Sequence, residues 1–329
     1  MKYAIVAFAL LAPMLASAQS AADLAAAQVP ALSLTLAPEH PQPYGAATLT
    51  VQSTTLILAN ATLTVSVGGT QLYKGNVQPV AVPIGAPGTL TSIRVSVSSG
   101  GTTYSDSLSV RSGDVSLVEE PVASVPPLYA GKPLLPLSGA VRLVAIANFR
   151  TSGGSSIAPA TLSYSWSQGG SVLGSISGIG RNIAVLPAPL QYRASDISVV
   201  VSTQDGSEVG SASISLSPQS PSVRVYAIDP LLGIRFEHAL AGGYAIKDAE
   251  ASFYAAPFSF SLANGAPSLS WFLDGASAGT DTSITLRPAG SGAGVSALTL
   301  SASEDALFES ASQALSLSYG GGSTNIFGL

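Results

Sequence analysis

Leucine, valine and isoleucine alternate with serine and threonine in short runs along almost the whole chain. Leu63-Thr64-Val65-Ser66-Val67 is one such run, and Thr48 to Gln52, Ile93 to Val97, Leu162 to Trp166, Ile214 to Leu216, Leu298 to Leu300 and Leu315 to Leu317 are others. Successive side chains of a strand point to opposite faces, so each run has one apolar and one hydroxyl face. That pattern belongs to antiparallel sheets with one face on a core and the other in water. The 33 glycines and 22 prolines break the runs about every 8–12 residues, the spacing expected of a β-sandwich. An apolar stripe at helical period is missing, and only Ala21 to Gln28 has the composition for a turn or two of helix.

The runs recur as a larger unit. Asn60 to Gly69, Pro159 to Gly170 and Ala266 to Gly275 align as a strand running into a glycine turn. In each copy a second alternating strand follows (Ile93–Val97, Ile197–Val201, Ala297–Ser301), then a third (Leu108–Val110, Ile214–Leu216, Leu315–Leu317). Each copy also opens alike, with Leu36 to Pro41, Leu117 to Pro121 and Val225 to Pro230 placing an acidic or polar pair before a proline. A period near 100 residues is domain-sized, which predicts a tandem array rather than a solenoid. The expected fold is all-β, with three tandem antiparallel β-sandwiches at residues 31–112, 113–218 and 219–319. An export signal at 1–18 and a linker at 19–30 precede them, and a glycine-rich spacer with an apolar tail follows at 320–329.

The tandem pattern resembles the immunoglobulin-like and polycystic-kidney-disease-like sandwich repeats of bacterial exported proteins, over roughly Ala31 to Tyr319. The resemblance implies that the strands carrying Trp166 and Trp271 are central core strands. The Trp-Asp-Phe-Gly-Asp-Gly signature of the second group is missing, the first copy has Val65 and Val67 in place of an aromatic, and the paired cysteines of immunoglobulins are missing. Pro126 to Leu134, Val144 to Phe149, Gly178 to Asn182, Asp229 to Ile234 and Tyr254 to Phe258 also look like segments of an uncharacterised exported protein family of small-genome, candidate-phylum bacteria. That resemblance implies location and fold and transfers no site.

Lys2, the apolar run Tyr3 to Leu15 and the small residues Ala16 and Ala18 form an export-signal pattern, with cleavage expected before Gln19. The run is short for the ~20 residues of a membrane span; left uncut, it would be a tether. Removing Lys2 leaves 12 basic against 18 acidic residues, a net charge of −6. Only 9% of residues are charged, against about 25% in ordinary globular chains. A weakly acidic, charge-poor surface excludes a basic nucleic-acid binder and gives no attraction to anionic membrane. No cysteine is present, which excludes disulfides, thiol catalysis, cysteine-ligated zinc and a lipoprotein anchor.

Candidate chemistry is sparse. A Ser-His-Asp triad needs a histidine relay, and only His40, in a proline-rich entry, and His238, beside Glu237, are available without a Gly-x-Ser-x-Gly elbow. Two solvated histidines are the plainer expectation. The pairs Glu119/Glu120 and Glu304/Asp305 invite comparison with glycosidase carboxylates, yet neighbours on a strand face opposite ways and cannot flank one bond. Glu119, Glu120 and Asp229 fall at expected domain junctions, where oxygen ligands would suit calcium; against that stands a plain reading as solvated acids. Gly290 to Gly294 lacks the lysine of a phosphate loop. Trp166 and Trp271 could stack on sugars if exposed, but both continue an apolar alternation and read as structural core. Ile326, Phe327 and Leu329, beyond a Gly-Gly-Gly-Ser-Thr spacer, are candidate partner-docking residues.

The expectation is therefore a non-enzymatic exported protein, extracellular, periplasmic or on the cell surface, structural or adhesive, with no catalytic residue, cofactor or metal. It would contact an unknown protein or glycan, bind no nucleic acid and have no membrane span once the signal is cut. A carbohydrate-binding module array is the alternative.

Overall fold

The computed structural model describes residues 32–320 except 128, 191, 290 and 291. The signal segment, the 19–30 linker, the turn at Ala21 to Gln28, and Ile326, Phe327 and Leu329 lie outside the described residues, as do Gly290 and Ser291 of the glycine-rich run. Among the described residues there is no α-helix, only short 3-10 turns at Leu58–Asn60, Pro159–Thr161 and Asp305–Leu307. No helix of the described residues is long and apolar enough to cross a membrane.

The first sandwich comprises β1 (Leu32–Ala37), β2 (Ala46–Ser53), β3 (Thr62–Val67), β4 (Thr70–Asn76), β5 (Val80–Pro83), β6 (Leu90–Ser99) and β7 (Thr102–Arg111). Its sheets run β1-β2-β5 and β4-β3-β6-β7. The inward residues are those the alternation selects: Leu49 and Val51 from one sheet, and Leu63, Val65, Ile93, Val95 and Val97 from the other, form one core.

The second contains β8 (Asp114–Pro121), β9 (Ala140–Asn148), β10 (Ser163–Gln168), β11 (Ser171–Val172), β12 (Gly178–Ile179), β13 (Ile183–Pro187), β14 (Ser195–Ser202) and β15 (Val209–Leu216). Its sheets run β13-β9-β8 and β11-β10-β14-β15, with β12 also on β10.

The third has β16 (Ser222–Asp229), β17 (Gly233–Ile234), β18 (Gly242–Ile246), β19 (Ala251–Phe258), β20 (Ser268–Leu273), β21 (Ala276–Gly279), β22 (Ser283–Leu286), β23 (Gly294–Glu304) and β24 (Glu309–Tyr319). The order is β17-β16-β19-β22 against β18-β24-β23-β20-β21. The pairing is antiparallel except for β18 on β24, which is parallel from Gly242↔Leu315 to Ile246↔Tyr319.

The three copies of the strand–glycine pattern become hairpins of one kind. Gly68-Gly69, Gly169-Gly170 and Asp274-Gly275 all have positive φ at both positions, as a two-residue type I′ turn requires. The outward faces carry hydroxyls that pair across strands: Ser96 with Ser105, Ser98 with Thr103, Ser167 with Ser198, and Ser252 with Thr285. Such pairs satisfy polar groups without charge.

Contacts divide the chain into two units. Among the described residues, the first holds 32–39, 46–83 and 91–110, and the second holds 40–45, 84–90 and 111–320. The second and third sandwiches, each with its own core, thus belong to one unit.

Candidate functional site

Trp166 and Trp271 are fully buried. Each sits on the strand leading into its glycine turn, β10 and β20, and each indole Nε1 donates to a carbonyl just ahead of a later strand, Arg181 O before β13 at 2.8 Å and Asp281 O before β22 at 2.9 Å. The matched bonds answer the polar end of a large buried ring, and neither indole is available to stack on a sugar. Val65, their counterpart in the first sandwich, is also fully buried and needs no such partner.

The histidines do not enter a site. His40 follows β1, and its carbonyl accepts from Ser211 Oγ at 3.3 Å. His238 is exposed in the loop after β17. Glu119, Glu120 and Asp229 each have a local partner. Glu120 accepts from Arg142 at 2.8 Å, and Glu119 lies 4.0 Å from Lys132. Asp229 Oδ1 accepts the backbone N–H groups of Leu231 and Leu232 at 2.8 and 3.0 Å, and those bonds hold its carboxyl below the usual range. Among the described residues no three histidine or acidic groups come together as metal ligands. Asp229 lines a cleft of about 450 Å³ with Arg235, Tyr244, Asp248 and Glu250. Arg235 is engaged with Asp229 and Glu237, and Glu250 with Arg287. Glu304 closes β23 and accepts from Asn264, whereas Asp305 opens the following 3-10 turn.

The structure also exposes a feature missed in the sequence. Glu208 and Glu309 are 1% and 3% exposed. They hold the same repeat position, eight residues before Leu216 and Leu317, the last core residues of β15 and β24. Each carboxylate accepts a backbone N–H from the residue after a fully buried phenylalanine: Arg150, after Phe149, at 3.4 Å, and Ser261, after Phe260, at 2.8 Å. Burial raises both carboxyls above their usual range, against the pull of these hydrogen bonds. Arg111 opposes the rise at Glu208, whereas Glu304 adds to it at Glu309. Glu309 Oε1 is buried with no hydrogen bond of good geometry, although the backbone N–H of Ser138 also pulls this carboxyl down. The readable signal was a glutamate at matched positions of two copies.

Glu309 stands where the second sandwich meets the third. Residues 122–124, just after β8, lie along the loop just after β19. Ser124 N donates to Phe260 O at 2.7 Å, Ser259 N to Ser124 O at 3.2 Å, and Leu262 N to Val122 O at 3.2 Å. Ser124 Oγ accepts from Phe260 N at 3.1 Å, and Ala123 bridges Ser261. Tyr129 meets Phe258 edge-on at 5.2 Å. Gly139 completes the fit, since a Cβ there would stand 2.4 Å from Ser261 Oγ.

No family model matches the chain, and no curated protein does. Among solved structures the chain is similar to the three N-terminal domains of the bacteriophage RB49 highly immunogenic outer capsid protein. The identity is 14% and the TM-score 0.25, over 88% of this chain and 99% of that one. It is also similar to a central fibronectin-III array of RIM-binding protein (11% identity, TM-score 0.28, 86% of this chain and 94% of that one). Domains A168–A170 of titin are similar at 12% identity and a TM-score of 0.21, over 88% of this chain and 97% of that one.

Proposed function

We propose that the chain is a non-enzymatic structural or adhesive array, exported to the cell surface, periplasm or exterior, with sandwich units at 31–112, 113–218 and 219–319. The observation carrying this reading is how the chain's polar groups are used: serine and threonine pair across strands on the outer faces, and the second and third sandwiches are joined by backbone hydrogen bonds. That chemistry suits a spacer that presents its ends and faces rather than a pocket. Export rests on the Tyr3 to Leu15 run with Ala16 and Ala18 and on the resemblance to an exported family. Ile326, Phe327 and Leu329 are the proposed contact with a protein or glycan of the cell surface.

The test is surface proteolysis and fractionation of intact cells, followed by adhesion and surface-retention assays on cells lacking the chain or only residues 320–329. The reading expects a protease-accessible, exported chain, weakened adhesion in the deletion strain and lost retention without the tail segment. A cytoplasmic chain would overturn it. Tight binding of the purified chain to one glycan on an array would favour the carbohydrate-binding alternative.

A further inference from the structure

An acidic side chain is enclosed in the junction between the second and third sandwiches. Glu309, the first residue of β24, is 3% exposed, and its Oε2 accepts the N–H of Ser261 at 2.8 Å. Ser261 belongs to the third sandwich, yet the second one covers the turn that carries it. Ala123 bridges Ser261, Ser124 bonds the main chain of Ser259 and Phe260, and Gly139 leaves room for the Ser261 hydroxyl. The N–H of Ser138, next to Gly139, also acts on the carboxyl. One carboxyl thus meets main-chain donors from both sandwiches.

The enclosure suits a neutral acid better than a charge. An ionised carboxylate has about four acceptor sites, and Oε1 has no hydrogen bond of good geometry. Segments 122–124, 135–139 and 259–262 carry no titratable side chain. Glu304 stands directly across the ladder from Glu309, and its charge opposes a second one there. Asp305 opens the turn between them. On β8 and β9 of the second sandwich, Glu120 and Arg142 are bonded to each other, and Glu119 lies beside Lys132. Among the described residues no cation acts on Glu309. Burial without a countercharge disfavours the ionised form, and the carboxyl titrates above its ordinary range for that reason.

Separating the two sandwiches would take 122–124 and 138–139 away from the turn and admit water to Glu309. The open junction hydrates an ionised carboxylate, whereas the closed one withholds water from it. A neutral carboxyl gains far less from opening. We propose that Glu309 is a charge-governed latch: while its carboxyl is neutral, the second and third sandwiches are held as one stiff body, and ionisation loosens their junction while both stay folded. The main-chain bonds across the junction are the same at every pH, so they set the closed geometry and Glu309 sets its pH dependence. The closed state binds the proton more tightly than the open one. Closure is therefore favoured below the ordinary carboxyl value and lost as pH rises through the closed-state value. The open-to-closed ratio should climb by up to about tenfold per pH unit from about 4.3 to the closed-state value, then level off. The latch operates whatever the array presents or binds.

Single-molecule energy transfer tests it. The chain has no cysteine, so Ser171→Cys and Ser277→Cys, at exposed positions, put one dye on each sandwich of residues 19–329. Between pH 4 and 8 the narrow transfer peak of the closed junction should give way to a second, broader population, with circular dichroism constant. Glu309→Gln, uncharged throughout, should keep the narrow peak at every pH. Glu304→Gln removes the like charge and should move the change to lower pH, which keeps the test decisive if Glu309→Gln does not fold. Glu208→Gln, at the matching position of the second sandwich, should leave the course unaltered. A transfer distribution that is the same from pH 4 to 8 overturns the proposal. So does a pH course that survives Glu309→Gln, that Glu304→Gln leaves in place, or that Glu208→Gln abolishes. Circular dichroism lost in step with the change would show a sandwich unfolding rather than a junction opening, and would overturn it as well.

Discussion

Replacing Glu309 with glutamine separates its charge from its hydrogen bonds. The folded carboxyl titrates above its ordinary value because of burial, so between the unfolded pKa of about 4.3 and the folded one the native state holds more protons than the unfolded state. Unfolding free energy therefore falls as pH rises through that window, and the stability of the protonated form is lost above the folded pKa. Each pKa unit of elevation corresponds to about 1.4 kcal/mol. Glutamine keeps an acceptor for Ser261 N, 2.8 Å away in the native protein, and has no charge to bury. Glu309→Gln should match the wild type near pH 4 and exceed it in stability at pH 8. Glu309→Ala leaves the N–H of buried Ser261 without its acceptor and should cost about 1–3 kcal/mol at any pH. The assay is urea unfolding from pH 4 to 8, followed by Trp271 fluorescence in a Trp166→Phe background so that one core reports. Asp205, lowered to about 2 by its bond to Thr203 and neighbouring groups, acts with opposite sign below that window. Parallel pH curves for the wild type and Glu309→Gln would refute the reasoning.

Trp166→Ala and Trp271→Ala should each cost about 3–5 kcal/mol and shift one calorimetric transition only; free iodide quenching of either native indole would contradict its burial. Gly210→Ala would set a Cβ 2.2 Å from the Gly113 carbonyl oxygen, so it should destabilise the second sandwich by about 1–3 kcal/mol, measured by denaturant melts. Bulky residues at Ala16 and Ala18 should block signal processing, and unchanged gel mobility relative to the wild type would show that the segment is never cut.

The sandwich strands were legible wherever hydroxyls alternate with aliphatics, as in β3, β6 and β24, because one face of each is solvated. The alternation blurs in β19, where Ala255 and Ala256 are both buried, and the two-residue strands β12 and β17 are too short to carry a period. The glycine turns announced their hairpins, since only positive φ closes them. The contact of Ser124 with Phe260 had no sequence signal, because main-chain groups and one serine hydroxyl 136 positions apart make it. Glu208 and Glu309 looked like ordinary surface acids beside loops. Burying them depended on the phenylalanine-led turns that reach back over them. The exposure of Leu231 and Ile57 was equally hidden, as nothing in an apolar residue's identity says whether a neighbouring sandwich covers it.

The parallel pairing of β18 with β24 has a mechanical consequence. A pull on Tyr319 along its strand, away from the Ser222 end, loads the five register positions from Gly242↔Leu315 to Ile246↔Tyr319 together. It also loads the eleven antiparallel positions joining β23 to β24. The hydrogen bonds lie across the line of tension, so they share the force in shear and do not open one at a time. Under traction, the third sandwich should therefore yield abruptly at high force, with little extension before it gives way.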